Sequence, residues 1–493
     1  MKGLEKDIMD PAVLERAVRR FRDENIRLPR LSQLAEPWTF REELSTALGE
    51  VGPDEAHRLN LFRVHWYNDA DRKGQCEVPG HLVLPPELTG VEAKIVIALG
   101  DRFPMIGAHK VLPAYGCLVP RLITGQFDPA RNRAVWPSTG NYCRGGAAIS
   151  RILDCRAVAV LPEGMSRERF AWLENWVSRP EDIIRTPGSE SNVKEIYDAC
   201  AELAQHPDNI ILNQFNEFGN YIVHRTITGP ALAHIFKAVN ADGKLKARAF
   251  IAASGSAGTL AAGDHLKAEL GADICAVEAL ECPTLLYNGY GEHNIQGIGD
   301  KHIPFIHNAL NTDMVIAVSE AGSDCLNVLF NHDEGRDYLS TRRGLPDETI
   351  KALGHLGLSS IANILAAVKY AKYHKLGADD VVLTVATDSA DMYVTERDLA
   401  MRKYFGNRFD DLAAAETFGR HVLGTATDHT LELGRYDKER IFNLGYYTWV
   451  EQQGVSLTDF DRRRDPAFWD GLTDYVPVWD GLIDAFNAAT GAG

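Results

Sequence analysis

From about Val91 to Tyr393 the chain alternates short apolar runs with amphipathic stretches, and this alternation restricts the fold more than any other feature. The apolar runs are Ala93–Leu99, Ala157–Leu161, Ile210–Asn213, Ala247–Ala252, Ile274–Glu278, Met314–Val318 and Val381–Val385. Continuous apolar runs of this length suit strands buried on both faces of a parallel sheet. Between them lie helical patterns near Arg144–Leu153, Arg167–Val177, Val193–His206, Pro230–Val239, Thr259–Glu269 and Ser360–His374. Strands alternating with helices predict an α/β fold, a parallel sheet covered on both faces. Ligands of such sheets sit beyond the strand C-termini, at helix N-termini and the loops before them. No internal repeat of fixed period is visible.

The flanks differ in texture. Up to about Gly90 the chain is charged and punctuated by proline, with one helical pattern over Pro11–Arg22 whose stripe is Val13, Leu14, Ala17 and Val18, capped by Asp10. After Tyr393 comes an aromatic-rich tail with Tyr446-Tyr447-Thr448-Trp449 and Phe468-Trp469, which reads as a lobe packed on the body or serving an oligomer contact. The predicted division is therefore an N-terminal extension over 1–81, a catalytic body over 82–393 and a C-terminal extension over 394–493. Lys plus Arg is 52 against 68 Asp plus Glu, a net charge of −16, which sets the bulk field against nucleic acid and anionic membrane partners. No apolar stretch approaches the roughly 18 residues of a membrane span, and the N-terminus has no apolar leader core, so a cytoplasmic protein is expected. The eight cysteines (Cys76, Cys117, Cys143, Cys155, Cys200, Cys275, Cys282 and Cys325) show no C-x-x-C pair and read as reduced core thiols.

Three constellations carry chemistry. Ala253-Ser254-Gly255-Ser256-Ala257-Gly258-Thr259 follows a predicted strand and precedes a helix; its small residues let backbone N–H groups approach an anion at the positive end of a helix dipole. The alternative is a plain tight turn. The loop is neither a G-x-G-x-x-G fingerprint nor a Walker loop, which sets a nucleotide-binding reading aside. Pro137-Ser138-Thr139-Gly140-Asn141 opens another helix, and its hydroxyls and amide suit a carboxylate cradle or, equally, an N-cap. Lys110, in Gly107-Ala108-His109-Lys110, stands in a small loop just past a strand; a partly desolvated lysine has a lowered pKa and can form a Schiff base with an aldehyde. A lysine, a carboxylate cradle and a phosphate cup in one α/β body point to pyridoxal 5′-phosphate as cofactor. Elsewhere His332-Asp333-Glu334 lacks a second ligand pair for a metal, Ser254-Gly255-Ser256 lacks the nucleophile-elbow pattern, and Arg462-Arg463-Arg464 reads as a solvated mixed-charge run.

The order and spacing of these motifs resemble fold type II pyridoxal-phosphate enzymes, the tryptophan-synthase-β-like superfamily, and within it the cysteine synthase family. The resemblance runs from about Leu82 to Tyr393, some three-fifths of the chain. It implies two three-layer α/β subdomains with parallel or mixed sheets around a cleft, and a homodimer acting on a small amino-acid substrate. Lys110 falls on the Schiff-base lysine; Ser138, Thr139, Gly140 and Asn141 fall on the substrate-carboxylate loop, with Asn141 also reaching the cofactor's phenolic oxygen. Gln214-Phe215 matches an element whose glutamine helps hold the carboxylate, Thr228-Gly229-Pro230 a T-G-P at the next helix start, and Gly255, Ser256, Ala257, Gly258 and Thr259 the phosphate cup. Ile295-Gln296-Gly297-Ile298-Gly299 matches a loop beside the active site. The implied reaction acts at Cβ through an aminoacrylate, as β-replacement of the cysteine synthase kind or β-elimination. An ammonia-lyase or dehydratase acting on a hydroxy- or amino-substituted amino acid, and a cofactor-binding pseudoenzyme with a regulatory role, are the alternatives.

Several positions depart from the family pattern. Ala257 stands where glycine is usual, so its Cβ should crowd the loop or force an unusual backbone angle. Asp300, Lys301 and His302 follow Gly299 in place of small residues, and Tyr142 and Arg144 add bulk and charge past the cradle. Arg144 or Lys301 is set to recognise a second acidic group on the substrate, or else to lie as an exposed surface charge. The partner of the pyridine nitrogen falls on Asp388 when Tyr393 is the anchor, and on Ser389 or Thr387 after a one-residue slip.

Overall fold

The computed structural model describes residues 3–40, 42–299 and 301–491; Asp300 lies outside them. Eleven strands, β1 (His81–Leu84), β2 (Lys94–Leu99), β3 (Arg133–Pro137), β4 (Arg156–Pro162), β5 (Ile183–Thr186), β6 (Asn209–Ile211), β7 (Lys246–Ala253), β8 (Asp273–Ala279), β9 (Met314–Val318), β10 (Asp380–Ala386) and β11 (Thr430–Glu432), form two sheets among these residues. The larger has seven strands in the order β1-β2-β10-β7-β8-β9-β11. Its five inner strands are parallel, and β1 and β11 close the edges antiparallel. The smaller has four parallel strands in the order β5-β4-β3-β6. Helices cover the inner strands, which explains their uninterrupted apolar runs: in β10 every residue from Val381 to Ala386 is buried.

Every predicted apolar run is a strand, with bounds shifted by at most two residues, as at Ile210–Asn213, where the strand is Asn209–Ile211. β1, β3, β5 and β11 were not foreseen; β3 carries Arg133, Trp136 and Pro137 and lacks a clean apolar run. The helix Val111–Ile123 was also missed: all thirteen residues are buried, so it has no polar face to set a period, and Pro113, Gly116 and Pro120 interrupt its pattern. Thr228-Gly229-Pro230 does not open a helix. It lies within a continuous helical run from Phe218 to Val239, at a widened turn spanning His224–Thr228.

The helix Val111–Ile123 begins directly after Lys110 and crosses the helix Phe218–Val223 at two glycines. A Cβ on Gly116 would meet Val223 Cγ1 at 2.5 Å, and one on Gly219 would meet Gly116 O at 2.2 Å. This close crossing fixes Lys110 relative to Asn220.

Both extensions pack against the body and against each other. Phe21 meets Phe486 edge to face at 5.2 Å, Asp480 Oδ1 accepts from Leu31 N at 2.7 Å, and Asn487 bonds both Leu28 N (2.9 Å) and Leu28 O (2.8 Å). Trp449 is buried and donates to Ile303 O at 2.7 Å, so this tail aromatic belongs to the core. β11, from beyond Tyr393, completes an edge of the large sheet. The cysteines are all free thiols. No single helix among the described residues is long and apolar enough to cross a membrane.

Gly219→Ala is expected to cost about 2–3 kcal/mol, because the new methyl meets backbone that cannot move aside; the shift in urea midpoint measures it.

Candidate active site

Lys110 lies between β2 and the helix it precedes, half-buried, with Nζ 3.4 Å from Ser256 Oγ in the loop after β7. Lys110, Gly255, Ser256, Ala257, Gly258, Thr259, Gly297 and Thr387 line one cavity. The lysine and the small-residue loop, 146 positions apart in sequence, thus face each other as the sequence predicts. Ala257 adopts φ +62°, in the left-handed region that favours glycine, so its Cβ is held there under strain and does not move the backbone out of that region. Gly258 is required by close approach: a Cβ there would meet Asn220 Oδ1 at 2.1 Å. Asn220 Nδ2 donates to Ser256 Oγ (3.0 Å) and to Gln214 O (3.0 Å), tying the loop to Gln214. Gln214 is buried, with Oε1 lacking a partner.

Ser138–Asn141 follow β3 and lead into the helix Asn141–Ile152. Ser138 Oγ accepts from Gly140 N at 3.0 Å, and Thr139 Oγ1 donates to Glu190. Gly140 has φ +155°, and a Cβ on it would lie 2.7 Å from Arg169 Nε, so only glycine fits this turn. Arg169 is completely buried directly behind it. Its Nη1 donates to Gln296 Oε1 and its Nη2 to Tyr393 Oη at 2.8 Å; Asp388 Oδ2 is 3.6 Å away. Burial pushes the Arg169 pKa down, but facing Tyr393, Asp388 and Glu190 hold it above its ordinary value.

Asp388 is fully buried, and its Oδ2 accepts from Asn141 Nδ2 at 2.7 Å and from Tyr393 Oη at 2.8 Å. The phenolic oxygen and ring nitrogen of a pyridoxal are on separate edges of the ring. Asn141 and Asp388 bond each other directly, so the structure does not set them apart as that pair of roles requires. Ser389 is partly exposed, with Oγ 3.5 Å from Asp391 Oδ2, whereas Thr387 lines the cavity.

Arg144 is neither a surface charge nor a free specificity group. It is 2% exposed, donates to Asn141 Oδ1 (3.0 Å) and Ile106 O (2.9 Å), and lies 4.9 Å from the Trp172 ring. Burial and the nearby Arg169 charge push its pKa down to about 10. Lys301 is exposed and 3.8 Å from Glu292.

Sequence reasoning missed Arg169, Glu190, Asn220 and the support beneath Lys110. Arg169 carried a signal: it shares a buried helical face with Phe170 and Leu173, where a charge must have an internal partner. Glu190 lies outside any periodic element and had none. Under Lys110, His109 stacks on Trp66 from the N-terminal extension (5.5 Å) and meets His224 edge-on (5.3 Å). Burial pushes both histidines well below their ordinary pKa, so both are neutral.

Residues 83–335 match the family of pyridoxal-phosphate dependent enzymes. Cysteine synthase from Staphylococcus aureus is 31% identical over 273 residues, 55% of this chain and 78% of that protein. Cystathionine beta-synthase from Saccharomyces cerevisiae is 26% identical over 371 residues, 71% of this chain and 68% of that protein. Among solved structures, the O-acetylserine dependent cystathionine beta-synthase from Helicobacter pylori shares the fold with a TM-score of 0.52 at 23% identity, covering 65% of this chain and 95% of that one. A hydrogen sulfide-producing enzyme from Fusobacterium nucleatum gives 0.52 at 22%, covering 64% and 96%. The chain belongs to the pyridoxal-phosphate dependent enzyme family and has the α/β fold of its fold type II members. The site fits the cofactor: an amine faces a loop of small residues at the start of the helix Ala261–Leu270, in one cavity, with a glycine that no side chain could replace.

Burial raises the Glu190 carboxyl to about 7, against roughly 4.3 in an unfolded chain. The folded state therefore binds more protons between these values, and Glu190 costs stability as pH rises through that window. Relative to Glu190→Gln, the wild type is expected to lose up to about 3 kcal/mol of unfolding free energy between about pH 4.3 and 7. Urea melts of both proteins across that range measure the difference; a flat difference would contradict the buried acid.

Proposed function

We propose that this chain catalyses β-replacement or β-elimination on a β-substituted amino acid, in the manner of the cysteine synthases it resembles. One observation carries the reading: Lys110 Nζ is 3.4 Å from Ser256 of the phosphate cup, and Lys110 is the one amine lining that cavity among the described residues. Bound through Lys110 and the cup, the cofactor supplies an electron sink that acidifies Cα and lets a group on Cβ depart.

The rest is work for the chain's own residues. Gly255, Ser256, Ala257, Gly258 and Thr259 hold the phosphate. Ser138, Thr139, Gly140, Asn141 and Gln214 hold the substrate carboxylate, with the buried charge of Arg169 behind Gly140 favouring an anion there. Lys110 would take the proton from Cα. Asp388 is assigned to the cradle, which it fixes through Asn141, Tyr393 and Arg169. Thr387, lining the cavity, then meets the ring nitrogen with a neutral hydroxyl and leaves it largely unprotonated. That would suit chemistry at Cβ. A homodimer and a cytoplasmic location belong to the same reading; exposed Tyr287, Tyr290 and Tyr436 and the free thiols support them.

The test is the visible spectrum and turnover of the holoenzyme with serine, O-acetylserine, cysteine, threonine and acidic β-substituted analogues, with and without sulfide. One compound is expected to shift the cofactor band and turn over, and Lys110→Ala to lower the rate about 1,000-fold or more. Product analysis then separates replacement from release of ammonia and a keto acid. A protein that binds cofactor and turns over none of the panel contradicts the reading and favours a regulatory pseudoenzyme.

A further inference from the structure

The loop after β5 brings a buried acid onto the Ser138–Asn141 turn. Glu190 is 1% exposed, and its Oε1 is bonded to Thr139 Oγ1. Thr139 is partly exposed, so it links the sealed acid to a residue that a ligand can reach. The carboxyl also faces the backbone N–H of Gly297, which lines the cavity of Lys110. Oε2 is buried and has no hydrogen-bond partner. The loop is held on either side of the acid: Ser189 Oγ donates to Glu292 Oε2 (3.1 Å) and Ser191 Oγ to Gly291 O (2.7 Å).

The protons of this pair decide what Thr139 can bind. A threonine hydroxyl has one proton to donate. Against an ionised Glu190 that proton is committed to Oε1, and Thr139 offers an incoming carboxylate only lone pairs. Against a protonated Glu190 the bond reverses: the acid donates to Thr139 Oγ1, and the threonine proton is free for a carboxylate. Burial favours the second arrangement. Ionised, Glu190 leaves Oε2 as an uncompensated charged oxygen; protonated on Oε1, it leaves there only a neutral carbonyl. Around the acid stand Arg169, whose charge favours ionisation, Asp388, whose charge opposes it, and the neutral phenol of Tyr393. Glu292, 3.8 Å from Lys301, lies at the exposed end of the loop. Burial outweighs Arg169 and raises the carboxyl to about 7. An ionised Glu190 also competes with a bound anion for the charge of Arg169, which already faces Asp388.

We propose that Glu190 is a positioning residue for substrate recognition: it must be protonated for Thr139 to hold the substrate carboxylate, so each carboxylate bound takes up one proton at Glu190. The inference rests on the assignment of Ser138–Asn141 to that carboxylate. The proton comes from solvent and stays on Oε1 while the ligand is bound. Binding is strongest where Glu190 is already protonated and weakens as pH rises through its ionisation.

The experiment titrates the holoenzyme with propionate, a carboxylate with neither amine nor leaving group, between about pH 6 and 9 at constant ionic strength, following the cofactor band. Wild-type affinity is expected to fall up to about tenfold per pH unit above about 7, the slope of one proton taken up per ligand. Glu190→Gln, whose amide donates to Thr139 at every pH, is expected to keep the low-pH affinity throughout. Thr139→Ser keeps the hydroxyl and the slope, whereas Thr139→Val at about pH 6 should bind no better than wild type at about pH 8. If Glu190→Gln fails to fold, the wild-type slope and the Thr139 variants decide. A flat wild-type profile, the same slope in Glu190→Gln, or no propionate binding at any pH would each overturn the inference. Turnover of a β-substituted amino acid alongside a flat profile removes the role of Glu190 and leaves the reaction reading standing; a sloped profile without turnover does the opposite.

Discussion

A guanidinium with no exposed surface joins the two sheets. Arg169 comes from the body built on the four-stranded sheet, and its partners Gln296, Tyr393 and Asp388 come from the body built on the seven-stranded one. A charge removed from water this completely persists only where hydrogen bonds and opposite charge replace its hydration. The positions of Tyr393 and Asp388 are thereby coupled to Gly140 and the cradle around it. Asn141 closes the ring by bonding Asp388, and Arg144 holds Asn141 from the other side. The proposed carboxylate cradle at Ser138–Asn141 is thus set by an ionic network between the two sheets as much as by its own loop.

Beneath Lys110 the support is apolar and neutral. Trp66 reaches in from the N-terminal extension, donates to Thr228 Oγ1 at 2.9 Å, and stacks on His109, the residue before the lysine. His224 bonds the same threonine at 2.9 Å. Residues before Leu82 therefore build the floor beneath Lys110. Both extensions are parts of one continuous packing arrangement with the body.

The parallel strands were legible because burial on both faces leaves continuous apolar runs, and the proposed cup, cradle and lysine stand out because their small, polar or isolated residues break that texture. Helix Val111–Ile123 was hidden by the same logic, since complete burial erases the period that reveals a helix. Arg144 was misplaced because sequence gives charge without depth; only the structure shows it under Trp172 and bonded to Ile106 O. The Arg462–Arg464 run misled in the same way: it reads as solvated, yet Arg463 lies inside a cage of phenylalanines drawn from distant parts of the chain. Asp388 was picked out by counting from Tyr393, but its direct bond to Asn141 is a contact between residues 247 positions apart that spacing along one loop cannot contain.

The central claim is that Lys110 carries the cofactor opposite the Gly255–Thr259 cup. Borohydride reduction of the holoenzyme, followed by mass mapping of its peptides, tests it most directly, because reduction makes the bond between cofactor and lysine permanent. The account predicts one modified peptide per chain, with the pyridoxyl group on Lys110. A label on any other lysine, or none on a protein that retains cofactor, would contradict it.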